Sequence, residues 1–112
     1  MNTTVNFEIA KLLKEKRYDK PCLKCYLEDG SVQISSGDEG DFEEYNHNRG
    51  GNYSAPTIAE VVMWVYEKYG IWISVGNIDD STVFRHCFSN IDFNSPTEAY
   101  EAAITYTLTK LI

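Results

Sequence analysis

The chain has 112 residues, 43% hydrophobic and 13% aromatic, which suits one domain (1–112) with a single buried core that folds on its own. No apolar run approaches the ~20 residues needed to cross a bilayer, so no membrane association is expected. The formal net charge of −7 sets up long-range repulsion from phosphate, so direct nucleic-acid binding is disfavoured.

That charge is unevenly placed. Residues 1–27 carry six basic and three acidic groups, a net of +3, whereas residues 28–48 carry seven acidic groups and no Lys or Arg. Residues 1–8 show neither the basic start nor the apolar stretch of a signal peptide. With three cysteines and no export signal, the expectation is a cytoplasmic protein with reduced thiols.

The first predicted helix covers about residues 7–17, with Ile9, Leu12 and Leu13 as its stripe and lysines on the solvent side. A strand over residues 22–27 follows, then an Asp29-Gly30 turn and a strand over residues 31–35 with Val32 and Ile34 on one face. Residues 36–53 read as a long polar, acidic loop. Thr57 then announces the central helix. Its hydroxyl can cap the first turn, and Glu60 can reach back to complete a capping box. Ile58, Val61, Val62, Val65 and Tyr69 recur as one helical face, and Gly70 supplies the stop. Trp64 sits one position off the stripe and widens it.

A third strand is predicted over residues 71–75, a turn at residues 77–80, and a fourth strand over about residues 82–88. Ser95, Pro96 and Glu98 repeat the helix-start signal, and the last helix runs to about Lys110. The order α-ββ-α-ββ-α predicts an α+β fold, with a mostly antiparallel four-stranded sheet and helices packed on one face.

Candidate chemistry is sparse. Cys22-Leu23-Lys24-Cys25 has redox or zinc spacing, but residues three apart in a strand point to opposite faces, leaving Cys25 in the core and Cys22 half-exposed. His86 and Cys87 are adjacent in a strand, so they face apart and do not form a nucleophile pair. Asp38, Glu39, Asp41, Glu43 and Glu44 are hard oxygen donors that miss the calcium-loop spacing, so a solvated acidic patch is the reading. Asn46-His47-Asn48-Arg49 reads as plain polar loop. No phosphate-binding glycine loop or Gly-x-Ser-x-Gly context occurs. No catalytic, cofactor or metal residue is therefore assigned. Trp64 (by its off-stripe face), Tyr66 and Trp72 are the candidate partner surface, because Trp72 alternates with Ile71 and Ile73 and would face outward if they are buried.

Ile9-Ala10-Lys11-Leu12-Leu13-Lys14-Glu15-Lys16, Tyr18-Asp19 and Pro21-Cys22, then Ser54-Ala55-Pro56-Thr57 with Val62, Trp64-Val65 and Glu67-Lys68, and finally Tyr100-Glu101-Ala102-Ala103-Ile104, resemble one group. These are small uncharacterised proteins carried by phages, prophages and other mobile elements of gut anaerobes. Arg17 departs from the group's pattern, which has a helix-ending glycine there. The resemblance implies a compact α+β protein and no catalytic residues. The expected function is an accessory protein of phage or mobile-element origin in a bacterial cytoplasm, acting by protein–protein interaction with an unknown partner or a second copy of itself. The alternatives are an acidic mimic of nucleic acid that inhibits a host DNA-binding protein, and a small metal-dependent or Cys/His enzyme.

Overall fold

The computed structural model describes residues 3–34, 46–49, 51–79 and 81–112. The chain divides into two compact units: Thr4–Pro56, and Thr57–Ile112 together with Met1–Thr3.

The first unit begins with α1, Phe7–Glu15. Asn6 caps it through Oδ1, which accepts a hydrogen bond from the Ile9 amide at 2.9 Å. Ile9, Ala10 and Leu13 are its buried face. The helix ends at a residue where glycine is the default, because Arg17 takes the left-handed conformation (φ 62°). The Arg17 amide donates to the Lys14 carbonyl, and the Tyr18 amide to the Leu13 carbonyl. These are the two bonds of a Schellman motif, and its usual apolar pair is present in buried Leu13 and Tyr18.

Three short strands follow: β1 Lys24–Tyr26, β2 Val32–Ile34 and β3 Tyr53–Ser54. They form one antiparallel sheet in the order β2-β1-β3, with Cys25 opposite Gln33 and Ser54. Gly30 is favoured at the β1–β2 turn by its backbone conformation and by the tight space beside it. It has φ 87°, and a β-carbon there would lie 3.3 Å from the Phe7 ring. Asp29 closes that turn by accepting from the Ser31 amide and hydroxyl, which hold its carboxyl below the usual range.

The strand β3 falls at the end of the stretch read as loop. A 3-10 turn, His47–Arg49, positions it. Asn48 donates its side-chain amide to the Tyr18 carbonyl and accepts the Ser54 amide, both at 2.9 Å, while His47 Nε2 lies 3.1 Å from the Cys22 carbonyl oxygen. These residues are a structural clamp rather than plain loop. Lys14 also reaches across, donating to the Asn52 carbonyl and lying over the Tyr53 ring. The remainder of the predicted acidic loop, residues 36–45 and 50, lies outside the described residues, as does residue 35 at the end of the predicted second strand.

The second unit begins with α2, Ile58–Tyr69. Its capping box is complete: Thr57 Oγ1 accepts the Glu60 amide and Glu60 Oε1 accepts the Thr57 amide. Gly70 ends the helix at φ 71°. Next come β4, Val75–Asn77, and β5, Phe84–His86, which pair antiparallel with Val75 opposite His86. α3, Pro96–Tyr106, starts on Ser95 and continues into a wider π turn at Thr107–Leu111. Here the capping box is only half formed. Ser95 Oγ accepts the Glu98 amide, but the Glu98 carboxylate takes the Asn94 amide instead of returning to Ser95. The Thr107 and Thr109 hydroxyls donate to the carbonyls of Ala103 and Thr105, a competition with the helix ladder that accompanies the widening. α3 packs against β4, β5 and α2.

The α+β class stands, but the single four-stranded sheet does not. The strands form a three-stranded and a two-stranded sheet. The ladder expected over residues 71–75 is displaced to Val75–Asn77, because Asn77 sets the register: its side chain donates to the carbonyls of Ser81 and Val83 across the turn. The strand β2 is exposed at all three residues, so Val32 and Ile34 share a face without burying it.

A left-handed arginine carries a cost of about 1–2 kcal/mol, partly offset against the greater chain entropy that a glycine loses on folding. Arg17→Gly is therefore expected to raise the unfolding free energy by about 0.5–1 kcal/mol. Urea titration followed by circular dichroism checks this, and equal or lower stability would contradict the assignment.

Candidate functional site

The outer side of α2 presents Met63 and Tyr66, one turn apart and both exposed. Gly70 ends the helix in the left-handed conformation, and in the segment that follows Ile73 is buried and Trp72 55% exposed. The Trp72 ring meets that of Tyr66, itself 50% exposed, edge-to-face at 5.4 Å and 87°. Such a contact contributes about 0.5–1.5 kcal/mol beyond area burial, so each ring restrains the other. The backbone is held as well: Cys87 donates its amide to the Ser74 carbonyl at 3.0 Å and its thiol to the Trp72 carbonyl at 3.8 Å.

Of the three residues expected to form a partner surface, Tyr66 and Trp72 come together and Trp64 does not. Trp64 is 4% exposed. Its ring packs edge-to-face on Tyr69 at 5.6 Å, and the Lys68 ammonium lies over it at 5.2 Å. The indole extends the buried stripe of α2 and offers no surface. Met63, three residues before Tyr66 on the same helix, is exposed as well, and that spacing was the available signal.

Cys25 lies in the core as expected, but Cys22, expected to be half-exposed, does not stay at the surface. Both Cys22 and Cys25 are buried, because β1 starts at Lys24 and strand alternation does not govern Cys22. Burial pushes the Cys25 thiol up, away from the thiolate that redox or metal chemistry needs. Cys87 is exposed. None of the three is disulfide-bonded.

His86 is 7% exposed. Its ring stacks on Phe93 at 5.6 Å and tilts against Phe88 at 5.8 Å. The Phe88 amide donates to Nδ1 at 3.0 Å, which leaves the proton on Nε2, 3.4 Å from Ser89 Oγ. A base that activates Ser89 would need Nε2 vacant and Nδ1 donating to an acceptor. The geometry is the reverse, so Ser89 and His86 are not a nucleophile–base pair. Desolvation holds the imidazole below its ordinary pKa. Phe93 reaches this cluster by an antiparallel bridge to Phe84, a long-range pairing with no local sequence signal.

Asp38, Glu39, Asp41, Glu43 and Glu44 lie outside the described residues. Among the described residues, no three His, Cys, Asp or Glu side chains gather to hold a metal ion, and no helix is long and apolar enough to cross a membrane. No protein-family model, curated protein or solved structure matches the chain.

Burial separates the thiols by reactivity. Iodoacetamide at pH 7.5 is expected to alkylate Cys87 at least tenfold faster than Cys22 or Cys25, with the difference abolished in denaturant, where all three share a thiol pKa of about 8.5. Mass spectrometry of timed digests reads the rates. Fast alkylation of Cys25 in the folded protein would contradict the assigned burial.

Proposed function

We propose that this chain is a non-catalytic accessory protein of a phage or other mobile element, acting in the bacterial cytoplasm by protein–protein contact, with Tyr66 and Trp72 as its anchors. The observation that carries this reading is the exposed, mutually braced aromatic pair. Aromatic side chains dominate the energetics of interfaces, and they do so at low entropic cost when already ordered. The pair is attached to a capped helix on one side and to the backbone bonds of Cys87 on the other. The resemblance of three separate stretches to small mobile-element proteins supports the biological setting.

Purification from native host cells, using a tag at the Met1 end, tests the reading with three proteins: wild type, Trp72→Ala, and Glu67→Ala as an exposed control on the same helix. One stoichiometric partner, or a second copy of the chain, is expected with wild type and with Glu67→Ala. Trp72→Ala is expected to weaken that interaction by about 2 kcal/mol or more, roughly thirtyfold, as for an interface hot spot, while loss of the ring contact lowers its unfolding free energy by about 1–2 kcal/mol and leaves the protein folded. Equal binding by Trp72→Ala, or a monomer that captures nothing, would contradict the proposal.

A further inference from the structure

The buried imidazole of His86 takes no part in the partner surface, yet it sits where the hairpin β4–β5 is fastened. The Phe88 amide donates to Nδ1, and Ser89 Oγ, near Nε2, in turn accepts the Ile91 amide at 3.3 Å. The imidazole thus closes the turn after β5. Between it and that turn lies Cys87, whose amide and thiol hold the segment from Trp72 to Ser74.

We infer that His86 is a proton-sensitive latch: protonation of Nδ1 removes the only lone pair that can accept the Phe88 amide, opens the turn and releases the Cys87 bonds that hold Trp72. An imidazolium has two N–H donors and no acceptor, so the Phe88 amide would face a donor at hydrogen-bonding distance. The two flanking phenyl rings supply no acceptor for the new proton and exclude the water that would solvate the charge.

The surroundings do not offset that charge. In β4, the strand paired with β5, Val75, Gly76 and Asn77 carry no ionisable side chain. On the hairpin itself Arg85 is engaged with Asp92 at 2.5 Å, and Cys87 is a thiol. The helix α3, packed on β5, carries Glu98, Tyr100, Glu101 and Tyr106. Burial holds the imidazole pKa below its ordinary value. The sign follows. As pH falls through about 6.5 the unfolded chain takes up this proton before the folded site does. Hairpin stability is therefore complete above that pH and declines as pH drops towards the folded value. That opening the latch also disturbs partner binding rests on the reading of Tyr66 and Trp72 given above; the latch itself does not.

Amide hydrogen exchange, corrected for the intrinsic pH dependence of the chemistry, is measured by NMR on the full chain at pH 7.5 and 5.0. The amides of Phe84, Cys87, Phe88 and Phe93 are expected to lose protection by roughly tenfold at the lower pH, the effect of one net hydrogen bond, while Ala10 and Tyr18 of the first unit keep theirs. In His86→Gln, whose side-chain oxygen can accept the same amide without titrating, this difference should vanish. Protection unchanged within twofold in wild type, or the same pH-dependent loss in His86→Gln, would overturn the latch. If His86→Gln does not fold, nitrogen chemical shifts of wild-type His86 decide the question. A proton on Nε2 at pH 7.5, with titration coincident with the loss of amide protection, supports the latch. A proton on Nδ1, or titration without loss of protection, overturns it. Because no partner enters these measurements, failure here leaves the interaction reading intact, and failure of partner capture leaves the latch intact.

Discussion

The left-handed turn at Gly70 is the constraint on which the exposed aromatic pair, Tyr66 and Trp72, depends. α2 is amphipathic, and its exposed side ends near Tyr66. A helix running on would carry Trp72 away along the axis. Because Gly70 reaches φ 71° without a β-carbon in the way, the helix stops there, and the following segment buries Ile73 and leaves Trp72 exposed beside Tyr66. The edge-to-face contact with Tyr66 is the product of that one backbone conformation.

The first unit solves a different problem. Its strands are two or three residues long, too short to hold a sheet by ladder bonds alone. Side chains complete the job. The Asn48 amide spans the Tyr18 carbonyl and the Ser54 amide, Lys14 reaches the Asn52 carbonyl, and the Tyr26 hydroxyl donates to the Val5 carbonyl at 2.6 Å. In each case a long polar side chain does what an extra strand residue does in a larger sheet.

What was legible in the sequence follows from this contrast. The start and stop of α2 are encoded locally by Thr57, Glu60 and Gly70 and appear as expected, and the apolar repeat is buried from Ile58 to Val65, with Tyr69 only half-buried. The outward orientation of Trp72 was only conditional in the sequence, since it rested on burial of both Ile71 and Ile73, and of these Ile73 is buried while Ile71 is half-buried. Trp64 was ambiguous because a residue at the edge of a helical stripe packs inward or outward according to what faces it, and Tyr69 with Lys68 draws the indole in. The division into two sheets, the two-residue β3 and the burial of Cys22 depend on contacts between residues far apart in the chain. No periodicity records those. Arg17 is an intermediate case. Its missing glycine blurred the first helix boundary, while the backbone adopts the glycine conformation all the same.

The central claim is that Tyr66 and Trp72 touch a partner in the cell. The most direct measurement replaces Trp72 with a photo-crosslinking amino acid such as p-benzoylphenylalanine and irradiates the native host expressing the protein, with position 67 on the same helix as the control. The account predicts a single covalent adduct from position 72 and none from position 67. No adduct from position 72, or the same adducts from both positions, would contradict it.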